Sequence, residues 1–98
     1  MFIIELLLPL KATPPARALY GSLRKALIEK FGGVTSFTRA PAEGLWENGE
    51  GVEKDDIVVL EVMAEELDRD WWRHFRQKLE RKLQEKELVV RCHKIERL

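Results

Sequence analysis

The chain has one cysteine, two histidines and no net charge, and each shortage excludes something. A lone Cys92 cannot close an internal disulfide, so the chain reads as one for a reducing compartment, the cytoplasm. His74 and His93 share no ligand spacing with Cys92, so a structural zinc site is not indicated and no cofactor is expected. Seventeen basic against seventeen acidic residues leave no general pull towards nucleic acid or anionic lipid. Long apolar runs are missing too. Met1 to Leu10 is far too short to cross a bilayer. Glu5 within it, and the lack of a basic start, argue against a signal peptide. Gly32-Gly33 follows a helical pattern rather than opening one, so it is no phosphate loop. No serine or cysteine sits in a nucleophile motif. The acidic residues Glu47, Glu50, Glu53, Asp55 and Asp56 lack the ordered spacing of a calcium loop.

What is present suits one domain over 1–98: 98 residues, 45% hydrophobic and 35% charged. Phe2 to Leu8 reads as a buried strand, with Phe2, Ile4, Leu6 and Leu8 on one face and Ile3, Glu5 and Leu7 on the other. Thr13-Pro14-Pro15 announces a helix. Its apolar positions are Ala16, Leu19, Tyr20, Leu23, Ala26, Leu27 and Phe31, and Gly32-Gly33 stops it. Val34 to Ala40 is expected as a second strand, interrupted by Pro41, Gly44 and the acidic stretch. Asn48-Gly49 signals a tight turn. Ile57 to Met63 is the third strand. A second helix is expected from Asp68 to Gln84, with Trp72, Phe75, Leu79 and Leu83 as its stripe. Leu88 to Ile95 is the last strand, with Leu88, Val90 and Cys92 on its inner face.

The order β-α-β-β-α-β is the ferredoxin-like plan, an α+β sandwich. It implies a four-stranded antiparallel sheet with two helices on one face. The first and third strands are central; the second and fourth are edges. The face away from the helices should then show Ile3, Leu7, Ile57, Val59, Met63, Val89 and Ile95, among Glu5, Glu61, Arg91 and His93. An uncovered sheet face is usually polar. This one is aliphatic, and contiguous exposed apolar area marks a contact surface.

A homo-oligomer is therefore expected through that face, a dimer ahead of a trimer, with room for a small ligand. Ile57, Val59 and Met63 are its apolar candidates, and Glu5 with Arg91 a cross-strand pair. Glu61 and His93 are the candidate acid–base groups of an alternative, a small enzyme with Arg91 holding an anionic substrate. Trp71 and Trp72 are adjacent, so they point about 100° apart on a helix. Trp72 is expected inward and Trp71 at the helix edge or in a partner contact. Arg69, Arg73 and Arg76 share a stripe, but pairs such as Arg76 with Glu80 account for it as a solvated face. Strand 3 lacks the exposed aromatic residues of RNA-binding sheets, so nucleic acid is not expected there. With regular pairing across Asn48-Gly49, Ser36 would lie opposite Glu61 and Phe37 would point inward. A bulge at Pro41 or Gly44 would reverse this.

Phe31-Gly32-Gly33-Val34-Thr35-Ser36-Phe37, then Gly44-Leu45-Trp46, then Asp55 to Val62 form a connected pattern. It resembles small bacterial proteins of ferredoxin-like order, which implies a fold and no reaction. The plan is also similar in outline to PII and CutA-like signalling and metal-tolerance proteins, on topology and on Trp46-Glu47 near the hairpin end. That resemblance implies a trimer; the chain has no counterpart of their ligand-binding loops. Dimeric α+β barrel proteins, some of them oxygenases or isomerases, are a third likeness and pack sheet against sheet.

Overall fold

The computed structural model describes residues 1–9, 13–47 and 52–98, and the side chains of these outside 38–56. The Asn48-Gly49 turn and the side chains of Arg39, Trp46 and the acidic residues Glu47, Glu50, Glu53, Asp55 and Asp56 lie outside the described residues. Strand β1 is Phe2–Pro9, helix α1 Pro14–Phe31 and strand β2 Thr35–Glu47. Strand β3 is Val52–Ala64, helix α2 Arg69–Leu83 and strand β4 Val89–Lys94.

Local chemistry sets the helix ends. The Thr13 hydroxyl accepts from the Ala16 N–H at 3.4 Å, satisfying a donor that the first turn leaves free. Pro14 and Pro15 fill first-turn positions where no N–H is needed. At the other end Gly32 turns left-handed, φ 84°, and its N–H reaches the Ile28 carbonyl at 2.8 Å. Asp68 caps α2 by accepting from the Trp71 N–H at 3.1 Å. Gln84 ends α2 with φ 56°, and the N–H of Glu85 reaches back to the Glu80 carbonyl at 3.0 Å.

The four strands form one antiparallel sheet in the order β2-β3-β1-β4. Ile4, Leu6 and Leu8 of β1 and Val58, Leu60 and Val62 of β3 are buried in one cluster. The same cluster takes Tyr20, Leu23 and Leu27 from α1 and Trp72, Leu79 and Leu83 from α2, so both helices cover one face. Period-two alternation places a purely apolar set on that face, and removing it from water is the main force holding the layers together.

Three local expectations fail. Strand β2 does not stop at Ala40: it runs to Glu47, and β3 begins at Val52 rather than Ile57. Pairing passes Pro41 because the register shifts between Phe37 and Ala42, and a residue without an N–H is tolerated where the ladder is broken. The β2–β3 pairing thus continues from Ala42–Ile57 to Glu47–Val52, beyond the end of β1. Cys92 sits at a helix-side position, opposite Ile4, yet is exposed, because β4 is an edge strand with water along its free side. Ala26 is exposed rather than packed.

Candidate functional site

The sheet face opposite the helices is built as same-face rows, each fixed by strand pairing. One row is Arg91 on β4, Glu5 on β1, Glu61 on β3 and Thr35 on β2. The next, towards the β2–β3 hairpin, is Val89, Leu7, Val59 and Phe37. The row on the other side is His93, Ile3 and Met63. Beyond the Val59 row, Ile57 pairs with Pro9 and Ala42.

The expected outer-face residues on the strands therefore lie together, but Ile95 does not join them, because β4 spans Val89–Lys94 and ends before it. Met63 is 46% exposed, and Ile3, Leu7, Val59 and Val89 are half-buried. Ile57 is the exception in burial: it is only 6% exposed, yet it belongs to no part of the helix-side core. The register also corrects β2. Thr35, not Ser36, stands opposite Glu61, and Phe37 joins the outer row opposite Val59 and is 48% exposed. The bulge is the cause. Extra residues on β2 shift all pairing before them, and a one-residue change of register moves a side chain to the other face. Phe37 is thus a surface residue that regular pairing would have hidden.

Charges on this face are few and specific. Arg91 Nε donates to Glu5 Oε1 at 3.4 Å, the expected cross-strand pair. The Glu5 side chain is 21% exposed and that of Arg91 59%. Glu61 is half-buried beside Glu5 and has no ion pair or hydrogen bond among the described residues. His93 is exposed on the edge strand, one same-face row from Glu61 and two strands away. Strand and residue spacings put about 12 Å between the Cα atoms of Glu61 and His93. One copy of the chain does not bring these two groups within proton-transfer reach.

Trp71 lies elsewhere, in an aromatic cluster under the start of α2. Its ring stacks on Phe75 at 4.7 Å and meets Trp72 edge-on at 4.8 Å. Lys30 Nζ stands 4.4 Å from the ring centre, within cation–π range. Trp71, Lys30, Phe31, Met63 and Arg97 line an open cleft of about 730 Å³ at the end of the sheet where β3 leads into α2. Residues on α2 pair as expected for a solvated helix: Arg76 with Glu80 at 3.1 Å and Arg73 with Asp70 at 3.3 Å. Glu80 does more than that, since it also accepts from the Leu88 backbone N–H at 2.9 Å. Among the described residues, no three His, Cys, Asp or Glu side chains gather as a metal site would need. No helix among them is long and apolar enough to cross a membrane.

A four-stranded sheet in this order, with two helices on one face, defines a ferredoxin-like α+β protein. Among solved structures that share the fold is the divalent cation tolerance protein CutA1 from Thermus thermophilus. Its TM-score is 0.63 at 14% identity, over 97% of this chain and 84% of that one. A point mutant of CutA1 from Pyrococcus horikoshii aligns with a TM-score of 0.59 at 10% identity, over 100% of this chain and 86% of that one. The CutA-like likeness in strand and helix order thus holds in three dimensions as a likeness of fold. No protein-family model and no curated protein sequence matches the chain.

Proposed function

We propose that the chain is a non-enzymatic, cytoplasmic domain that self-associates by packing a second copy on its open sheet face. One observation carries the reading. The two central strands turn Ile3, Leu7, Val59 and Met63 away from the helices, and the edge strand adds a half-exposed Phe37 to the same surface. Apolar rows exposed on both sides of the Glu5–Glu61 row mark a contact surface, and covering them removes apolar groups from water at about 25 cal/mol per Å². The acid–base alternative rests on Glu61 and His93, and their separation within one copy favours the association reading over it. The Thermus CutA1 structure is described by divalent cation tolerance; the described residues offer no ligand cluster for that role, and cation binding forms no part of the proposal.

The test is the assembly mass of the purified chain and of Val59→Lys, by native mass spectrometry and sedimentation at micromolar concentration. Val59 lies in the middle of the aliphatic row, and burying an unpaired ammonium there costs several kcal/mol. The wild type is expected as an oligomer and Val59→Lys as a folded monomer. An unchanged mass for the variant, or a monomeric wild type at tens of micromolar, overturns the reading.

A further inference from the structure

Resting on the association reading, we infer that the second copy docks about a two-fold axis running along β1, and that Arg91 of each copy pairs with the partner's Glu61. The starting point is an imbalance in one row. Glu5 and Glu61 stand directly opposite each other on β1 and β3, an arrangement that repels. Arg91 satisfies only Glu5, and through Nε alone. A guanidinium carries five N–H donors in a planar fork. The terminal nitrogens of Arg91 have no acceptor among the described residues, and Glu61 has no donor. Each copy therefore presents one unpaired carboxylate and one half-used guanidinium on a surface whose neighbouring rows are mostly apolar.

Covering such a surface with apolar groups alone would strand the Glu61 charge in a dry layer. A second copy supplies the missing partner by symmetry. Arg91 and Glu61 flank Glu5 on opposite sides, each one strand spacing, about 4.8 Å, from β1. Rotation by 180° about an axis parallel to β1 reverses the order of the row. The partner's Arg91 then faces Glu61, and the partner's Glu61 faces Arg91. Facing sheets lie about 10 Å apart, a gap that an arginine and a glutamate span together. The same rotation brings Glu5 towards the partner's Glu5, each held by its own Arg91, and sets Val89 against the partner's Val59 and Leu7 against the partner's Leu7, so the neighbouring row interdigitates aliphatic groups. This is an isologous interface, in which residue i meets j and j meets i. Arg91 becomes a bridge, with Nε on its own Glu5 and its terminal nitrogens on the partner's Glu61.

A charge swap on the full-length chain tests the pairing. In Glu61→Arg alone, arginine faces arginine across the axis; in Arg91→Glu alone, glutamate faces glutamate. Each single variant is expected to weaken the dimer at least about a hundred-fold, since facing like charges cost several kcal/mol. An equimolar mixture is expected to recover a one-to-one heterodimer in native mass spectra, because both contacts then join arginine to glutamate. A ring of three cannot alternate two species, so only a two-fold assembly recovers in this way. Far-UV circular dichroism confirms that each variant is folded, and Glu61→Gln serves as the milder substitution, with a smaller loss in the same direction. Single variants that keep the wild-type mass, or a mixture that stays monomeric, overturn the pairing. Val59→Lys separates the two readings. If it dissociates the assembly while the charge variants do not, association through the face stands and the two-fold pairing falls.

Discussion

Glu80 joins α2 to the start of β4, and removing it should loosen the strand that carries Arg91. Its carboxylate accepts from Arg76 at 3.1 Å and from the Leu88 N–H at 2.9 Å, and its side chain is 13% exposed. The two bonds differ in worth. A helix pair at i, i+4 on a partly wet surface contributes about 0.3–0.5 kcal/mol. The Leu88 N–H belongs to a buried residue, and leaving such a donor without its acceptor costs about 1–3 kcal/mol. Glu80→Ala regains only a few tenths of a kcal/mol from helix propensity. The net loss should be about 2 kcal/mol, which in a domain of this size lowers Tm by roughly 8–16 °C. Glu80→Gln keeps an acceptor for Leu88 and should cost about 1 kcal/mol or less. Arg76→Ala should cost about 0.5 kcal/mol. Thermal unfolding followed by far-UV circular dichroism, at one fixed protein concentration because association shifts Tm, ranks the three variants. If Arg76→Ala loses as much as Glu80→Ala, the ion pair dominates and the backbone tether carries nothing.

Other perturbations probe the remaining joints. Gly32→Ala should destabilise by about 1–2 kcal/mol, because φ is 84° there while nothing crowds the added Cβ. Gly33→Ala, with equal space and no left-handed φ, should be neutral; equal losses at both positions in urea titration would show that backbone conformation is not the cause. Tyr20→Phe removes the hydroxyl that donates to the Pro9 carbonyl and ties α1 to the end of β1. It should lower stability by about 1 kcal/mol, and an unchanged urea midpoint would rule the tie out. Val59→Lys should raise the dissociation constant of the assembly at least about a thousand-fold, from the lost aliphatic burial together with the desolvated ammonium. Sedimentation velocity across a dilution series reads it.

Much of this was legible in the chain because local chemistry states it. Thr13-Pro14-Pro15 and Asp68 could only start helices, and Gly32 could only end one, for reasons confined to a few residues. Alternation along Phe2 to Leu8 and Ile57 to Met63 named both faces of the central strands, and Glu5 with Arg91 followed from the strand order. What stayed hidden depends on distant pairing. The expected register of β2 rested on a two-residue turn, and the shift between Phe37 and Ala42 reversed it. The alternative of a bulge at Pro41 was the one signal that could have placed Phe37 outside. The bond from Leu88 to Glu80 joins a strand entry to a helix surface eight residues away, a spacing that belongs to no periodic pattern.

The sequence by itself determined the elements, their caps and the apolar set under the helices, because propensity, capping and periodicity act over a few residues. Only the tertiary structure decided how far β2 and β3 pair, which rows the outer side chains form, and that Cys92 meets water. Those outcomes follow from strand register and from where the helices run out of sheet to cover. Both are properties of residues far apart in the chain, and no local pattern encodes them.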